Sequence, residues 1–526
     1  MGSKHRKARI AIMMITIATM LPLNSYAFDP STVIVTVFSE DVERKLFGLS
    51  GLSDYVDPVT PAFDASADES CFTGIDARSS FVSQVCGSNP YFTEYYLDPV
   101  VRNYPVVFIT RTDLSGCKDM KEAADALKKT GRTNVMIQAG IHGNEPAGAE
   151  GALYFLQRFR SDPNLEAYLS NLNIVIIPCA NVNTTRAGSS CEDPNRDSLY
   201  VAEPYTEKSH ALYNHLMPEV FIDCHELTNK ENELDHFSDI RISGAGTSNI
   251  APKIIDISAK MAASARSNAV DCGLRATAYS SSGNNTMSRV YYALYGSCSV
   301  VMETPGINMG KSHFARRVFA HYEGLMGILR FSASNSKVIK TAVRNTRNAI
   351  IARGKQYKSS NVFALRTVRE ASGETVTRDL YDAATAEAVD TETINVCTRT
   401  KTIRSRTLPT AYIISKKDPG AKKAVSILKK NGIKYYSVKA RRKINCAKYK
   451  GTVAKASVTN RKNYVFPKGA FVIPMDQPGG MVIAAMLEPD VKDTEGFNGS
   501  LVQSGVIKMT SIFRYRNKGT GTVSRP

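Results

Sequence analysis

The chain holds ten cysteines and no C-x-x-C pair. That absence removes the usual cysteine-based zinc and redox motifs. Beyond the first residues no apolar run is long enough to cross a bilayer, so no membrane-spanning helix is expected in the mature chain. No internal repeat occurs, which excludes a solenoid or propeller. Acid is scarce in one region. Between residues 416 and 468, seventeen Lys+Arg face the single acid Asp418. Residues 332–526 hold 37 Lys+Arg and 13 Asp+Glu, a net of +24, against +18 for the whole chain. By subtraction residues 1–331 carry about −6, so the basic character belongs to the last third alone.

What is present begins with an export signal. Lys4, Arg6, Lys7 and Arg9 form a basic start, Ile10 to Leu21 is a short apolar stretch, and Ser25-Tyr26-Ala27 offers a cleavage site after Ala27. A secreted or periplasmic protein is the expectation. An even number of cysteines in such a chain permits disulfides. Sequence separation favours Cys71 with Cys86 and Cys397 with Cys446, without fixing connectivity. At 526 residues, more than one domain is expected. The expected parts are a signal (1–27), a loop-rich segment (28–100), a catalytic domain (101–334) and a basic, β-rich accessory domain (335–526). Residues 28–100 suggest no function, although Thr32 to Val37 reads as a strand.

Within 101–331 strands and helices alternate. Tyr104 to Thr110, the run from Val135, Leu172 to Pro178, Val220 to Cys224 and Ser297 to Met302 read as buried strands. Lys121 to Lys129, Ala147 to Arg160, Thr206 to Leu216, Ala251 to Val270 and Ala315 to Phe331 read as helices. This predicts an α/β domain with a mixed, mainly parallel twisted sheet flanked by helices. In the tail, Ala411 to Ser415, a helix over Ala421 to Lys430 and Lys434 to Val438 resemble a βαβ unit. Gly469 to Pro474 and Met481 to Leu487 read as further strands.

Chemistry-bearing residues gather at strand ends. The first apolar run ends in His142-Gly143-Asn144-Glu145, the second in Asp223-Cys224-His225-Glu226, and a third at Glu303. Two histidines and a glutamate are a ligand set for catalytic zinc with one open position. Asp223 suits a partner that orients an imidazole. Glu303 suits a general base. Cys224 should point away from its neighbours' side and act as a structural thiol. The polar loop 181–197 brings Arg186 and Asn195-Arg196, side chains able to hold a carboxylate or an oxyanion. None of His210, His215, His236, His313 and His321 ends an apolar strand, and they read as surface or packing residues.

In this order the motifs resemble the zinc carboxypeptidase family, the carboxypeptidase A-like group. The resemblance covers about 104–331 and extends weakly to Phe471 to Pro478 and Leu487-Glu488-Pro489. It implies a carboxypeptidase-like fold and one zinc ion held by His142, Glu145 and His225. It makes Glu303 and Arg186 catalytic, gives Asn195 and Arg196 the substrate's terminal carboxylate, and makes Tyr279 of Tyr279-Ser280-Ser281-Ser282-Gly283 the capping tyrosine. Thr286 would line a side-chain pocket without preference for basic residues. The implied substrate is a peptide. The short spacings, 80 residues from Glu145 to His225 and ten from Arg186 to Arg196, are closer to an acyl-amino-acid deacylase branch. That keeps open a deacylase or an amidase on cell-wall peptides. A non-catalytic envelope-binding protein is the reading outside enzymes. The basic tail suits an anionic polymer or envelope surface, and a nucleic acid is disfavoured by export.

Overall fold

The structure, a computed structural model, describes residues 40–526 except 88, 101, 103, 182, 184, 185, 229–237, 279–283, 308, 383, 384, 398, 493–498 and 518–526. The expected signal, the strand at 32–37, Tyr279 and His236 lie outside the described residues. Eight strands form the first sheet: β1 (Phe92–Tyr96), β2 (Pro105–Ile109), β3 (Thr133–Ala139), β4 (Leu172–Ile177), β5 (Val220–Leu227), β6 (Ile240–Gly244), β7 (Ala276–Thr277) and β8 (Cys298–Pro305). Their order is β1-β2-β4-β3-β5-β8-β6-β7. The four central strands β4, β3, β5 and β8 run parallel, and β1, β2 and β6 add antiparallel pairings toward the edges. Every residue of β2, β3 and β4 is buried. Their continuous apolar runs therefore suit a sheet covered on both faces.

The covering helices are α1 (Glu40–Phe47), α2 (Ile75–Cys86), α3 (Met120–Lys128), α4 (Pro146–Ser161), α5 (Pro204–Leu216), α6 (Pro252–Asp271), α7 (Ser288–Leu294), α8 (Phe314–Ser334) and α9 (Ser336–Lys355). Helix α8 packs on both α4 and α6, and α3 packs on α5. Gly148 of α4 lies so close to Cys224 that an added Cβ would meet its carbonyl oxygen at 3.1 Å. Ser288 of α7 instead bonds Asp223. Adjacent strand residues face opposite ways, so α4 and α7 lie on opposite faces of β5.

Several expectations are corrected. Residues 57–87 read as loop, yet they contain α2. Its sequence is polar, but Arg78, Val82 and Val85 are buried. The segment docks on α4 through the buried Glu150, which accepts from Ala62 N at 2.9 Å and from Thr73 Oγ1 at 2.6 Å. All ten cysteines are free, so neither Cys71–Cys86 nor Cys397–Cys446 is a disulfide. Sequence separation carries no information on the Cβ approach that a disulfide requires.

The tail opens with helix α9 rather than strands. It then forms β9 (Val362–Glu370), β10 (Thr375–Tyr381), β11 (Ala388–Asn395), β12 (Arg399–Thr407), β13 (Ala411–Ser415), α10 (Ala421–Lys430), β14 (Tyr436–Val438), β15 (Arg442–Lys450), β16 (Ser457–Val458), β17 (Lys462–Phe466), β18 (Ala470–Pro474), α11 (Gly480–Leu487) and β19 (Ile512–Tyr515). Strand β18 runs antiparallel between β13 and β14, so the expected βαβ unit forms with a strand inserted. Met481 to Leu487 is helical, not a strand. Every residue of α11 is buried, so no polar face marks its period. One apolar core runs continuously from the first sheet into the tail. No helix among the described residues is long and apolar enough to cross a membrane.

Candidate metal centre and active site

Strand β3 ends at Ala139, and the chain turns at Gly140, which has φ +61°. A side chain there would meet Cys179 Sγ at 2.9 Å, so both backbone angle and space call for glycine. The turn delivers His142, and Glu145 follows just before Pro146 opens α4. Parallel pairing sets β5 beside β3, with Cys224 opposite Ala139. It also sets β8 beside β5, with Glu303 opposite His225. Three strand ends thus converge on one point of the sheet's rim.

At that point both imidazoles turn Nδ1 toward one carboxylate. His142 Nδ1 lies 2.6 Å from Glu145 Oε1, and His225 Nδ1 lies 2.9 Å from Glu145 Oε2. The donor atoms of the three residues all fall within 4.8 Å of one another. The Nε2 atoms face outward to further groups. His142 Nε2 is 2.9 Å from Asp193 Oδ1. His225 Nε2 is 3.3 Å from Asp223 Oδ2 and 3.1 Å from Asn195 Nδ2. The N–H of Glu226 donates to Glu145 Oε2 at 3.0 Å.

The polar loop after β4 arrives as the sequence implies. Arg186 lies 3.4 Å from Glu145 Oε1 and donates to Asp193 Oδ2 at 2.9 Å. Arg196 donates to the Asn195 carbonyl at 3.1 Å and lies 3.7 Å from Asp193. Asn195 is more committed than expected. Its Oδ1 accepts from the N–H and the hydroxyl of Ser288, both at 3.0 Å, while its Nδ2 faces His225. The side-chain exposures differ in a useful way. Arg186 is 44% exposed and Arg196 24%, whereas His142 and Glu145 are 3% and 2%. The cations stand at the mouth and the ligand set lies at the floor. Thr286 is buried, and its carbonyl accepts from Ser198 N at 3.2 Å.

Charge at the floor is dominated by carboxylates. Burial alone would raise Glu145, but His142 and His225 hold it well below the usual range. Burial would lower the imidazoles, but Glu145 raises His142, and Asp223 with Glu145 raises His225. Glu303 behaves oppositely. Its desolvation outweighs the pull of His225 and Arg289, so its carboxyl is raised. A raised carboxyl beside a cation-binding floor is the electrostatic setting of a general base.

Residues 102–183 match the zinc carboxypeptidase family. The matched stretch carries His142 and Glu145. It is 24% identical over 486 residues to carboxypeptidase 2 of Trichophyton equinum, covering 84% of this chain and 85% of the relative. It is 25% identical over 405 residues to probable carboxypeptidase 2 of Arthroderma benhamiae, covering 69% and 74%. Among solved structures, a metallo-carboxypeptidase from Pseudomonas aeruginosa aligns at TM-score 0.38 and 15% identity, over 51% of this chain and 70% of that one.

These likenesses support a zinc metallopeptidase, and the residues of the site fit the metal. Two imidazole nitrogens and a carboxylate converge, buried, with an oxygen-bearing partner on the far nitrogen of each ring. That is the arrangement of an oriented zinc ligand set. Sequence reading missed Asp193 and Ser288. Asp193 was legible in principle: it caps the short turn 194–196 by accepting from Asn195 N at 2.9 Å, and Asp before Pro-Asn-Arg is a cap signal. Ser288 carries no such signal, because only folding brings it beside Asp223 and Asn195.

Proposed function

We propose that the chain is an exported zinc-dependent metallocarboxypeptidase that hydrolyses the C-terminal bond of peptides. The observation that carries this reading is the two-sided grip on Glu145 by His142 and His225, with Glu303 in register beside His225. Zinc bound there supplies a Lewis acid that polarises the scissile carbonyl and acidifies water. Glu303, kept basic enough by burial, takes the proton of the attacking water and delivers it to the leaving amine. Arg186, the most exposed cation of the mouth, meets the developing oxyanion. Arg196, steadied by the Asn195 carbonyl, takes the terminal carboxylate, with Asn195 shaping the wall, and Tyr279 closes over it. The expected export, with a cut after Ala27, belongs to this proposal.

A cell-wall peptide or an acyl amino acid presents the same amide next to a free carboxylate, so the site chemistry serves either. The basic tail bears on where the substrate is met. Arg441, Arg442, Lys443, Arg461 and Lys462 all lie exposed around β15 and β17, which suits an anionic envelope polymer. The test is mass spectrometry of products from a library of peptides, acyl amino acids and muropeptides, with and without a chelator. Chelator-sensitive loss of single C-terminal residues is expected. Release that ignores the chelator, or cleavage only at internal bonds, would overturn the reading.

A further inference from the structure

The basic tail meets the catalytic part of the chain at the turn that ends α10. Helix α10 stops at Lys430, and Asn431 follows, fully buried. Both ends of its side-chain amide are used. Its Oδ1 accepts from the Tyr291 hydroxyl at 2.6 Å, and its Nδ2 donates to Ile427 O at 2.9 Å and to Leu199 O at 3.4 Å. Its backbone carbonyl accepts from the Tyr295 hydroxyl at 2.6 Å. The neighbours of Asn431 reinforce the contact. Lys430 Nζ donates to Val201 O at 3.3 Å and lies 2.8 Å from Glu207 Oε2. A Cβ on Gly432 would meet Asn214 Nδ2 of α5 at 2.5 Å, so this turn sits directly against the catalytic helices.

The two segments that Asn431 joins are those that carry the carboxylate side of the site. Tyr291 lies one turn after Ser288 on α7, and Ser288 bonds both Asn195 and Asp223. Leu199 lies three residues after Arg196 in the polar loop. Between the two, Ser198 N donates to Thr286 O at 3.2 Å. Loop and helix are therefore fastened at the site by Asn195 and Ser288, and behind it by Asn431. A second piece of the tail reaches the same stretch, for a Cβ on Gly499 would lie 3.9 Å from Thr286 Cγ2. Buried hydrogen bonds that meet no competing water hold such a geometry firmly.

We propose that Asn431 is a positioning residue for substrate binding: it fastens the Asn195-Arg196 loop to α7, so the docked tail sets the grip on the substrate's terminal carboxylate. A guanidinium meets a carboxylate well in a narrow range of geometries, and a small displacement of a positioning group is costly. The tail is thereby part of the frame of the active site. This rests on the reading of Asn195 and Arg196 as the carboxylate site.

The test is calorimetric titration of the zinc-loaded full chain carrying Glu303→Gln, so that peptide binds without turnover. The probes are N-acetyl-dialanyl-leucine as the free acid and as its C-terminal amide. The acid should bind at least about tenfold more tightly than the amide. Asn431→Ala should cut that preference about fivefold, and Tyr291→Phe, which removes a single hydroxyl, about threefold. The double variant should add little to Asn431→Ala, because both break one contact. Phe466→Ala is the control. Phe466 lies in a separate apolar cluster of the tail, and its loss should lower the unfolding temperature and leave the preference for the acid intact. If Asn431→Ala does not fold, Tyr291→Phe carries the test. An unchanged preference in Tyr291→Phe and in Asn431→Ala where it folds, or an equal loss in Phe466→Ala, would overturn this proposal alone. No preference for the acid in the parent chain would overturn the carboxylate site itself, and this proposal with it.

Discussion

Asp193 Oδ1 lies 2.9 Å from His142 Nε2, while its other oxygen lies 2.9 Å from Arg186 Nη2. One carboxylate thus orients a metal ligand and the exposed arginine of the mouth together. Histidine and Arg186 hold its own carboxyl low despite burial. Asp193→Ala should weaken zinc binding about 10- to 100-fold, the usual cost of losing an outer-shell partner. It should also lower turnover further at saturating zinc, because Arg186 loses its anchor. Competition with a chromogenic chelator reads the first effect. Unchanged zinc affinity would refute the orienting role.

Glu303→Gln removes the base and keeps the shape. Turnover should fall about 10²- to 10⁴-fold. One equivalent of zinc should remain, because Glu303 is not among the converging ligand atoms. Metal analysis beside steady-state kinetics decides it. Full activity would move the base elsewhere.

Acid should unfold this protein through buried neutral histidines. His210 is stacked on Tyr291 at 4.4 Å, and burial holds it down at about 3, against an ordinary value of 6.5. The folded chain therefore binds fewer protons than the unfolded one between those values. Stability rises with pH there, and is lost as pH falls below about 6.5. His210→Phe should flatten the slope by about 1.4 kcal/mol per pH unit. Urea unfolding at several values between pH 4 and 7 measures it. Parallel slopes for both proteins would contradict the assignment. His321, held equally low, adds to the same window.

Gly306 guards a buried ion pair. Arg317 Nη1 donates to Glu226 Oε1 at 2.7 Å, and a Cβ at 306 would overlap both side chains. Gly306→Ala should cost about 3–5 kcal/mol, the scale of breaking a buried pair. Because Glu226 N also holds Glu145, zinc affinity should drop in parallel. A variant as stable as wild type by thermal unfolding would show that the pair relaxes freely.

The sequence by itself determined the parallel core and the site's floor. Apolar runs of strand length ending in His142, His225 and Glu303 are local patterns. A strand end on a parallel sheet is a rim by geometry. The resemblance added Arg186, Asn195 and Arg196, which the fold brings to the same rim. Only the tertiary structure decided what depends on distant approach. Asp193 meets His142 across 51 residues, and Ser288 meets Asn195 across 93. Free thiols replaced the expected disulfides because pairing depends on Cβ geometry, not spacing. Helix α11 escaped reading because burial on all sides erases the polar face that marks a helix. The aromatic contacts of Phe47 with His313 and of Phe63 with Phe314 likewise join segments far apart in the chain, which only the fold brings together.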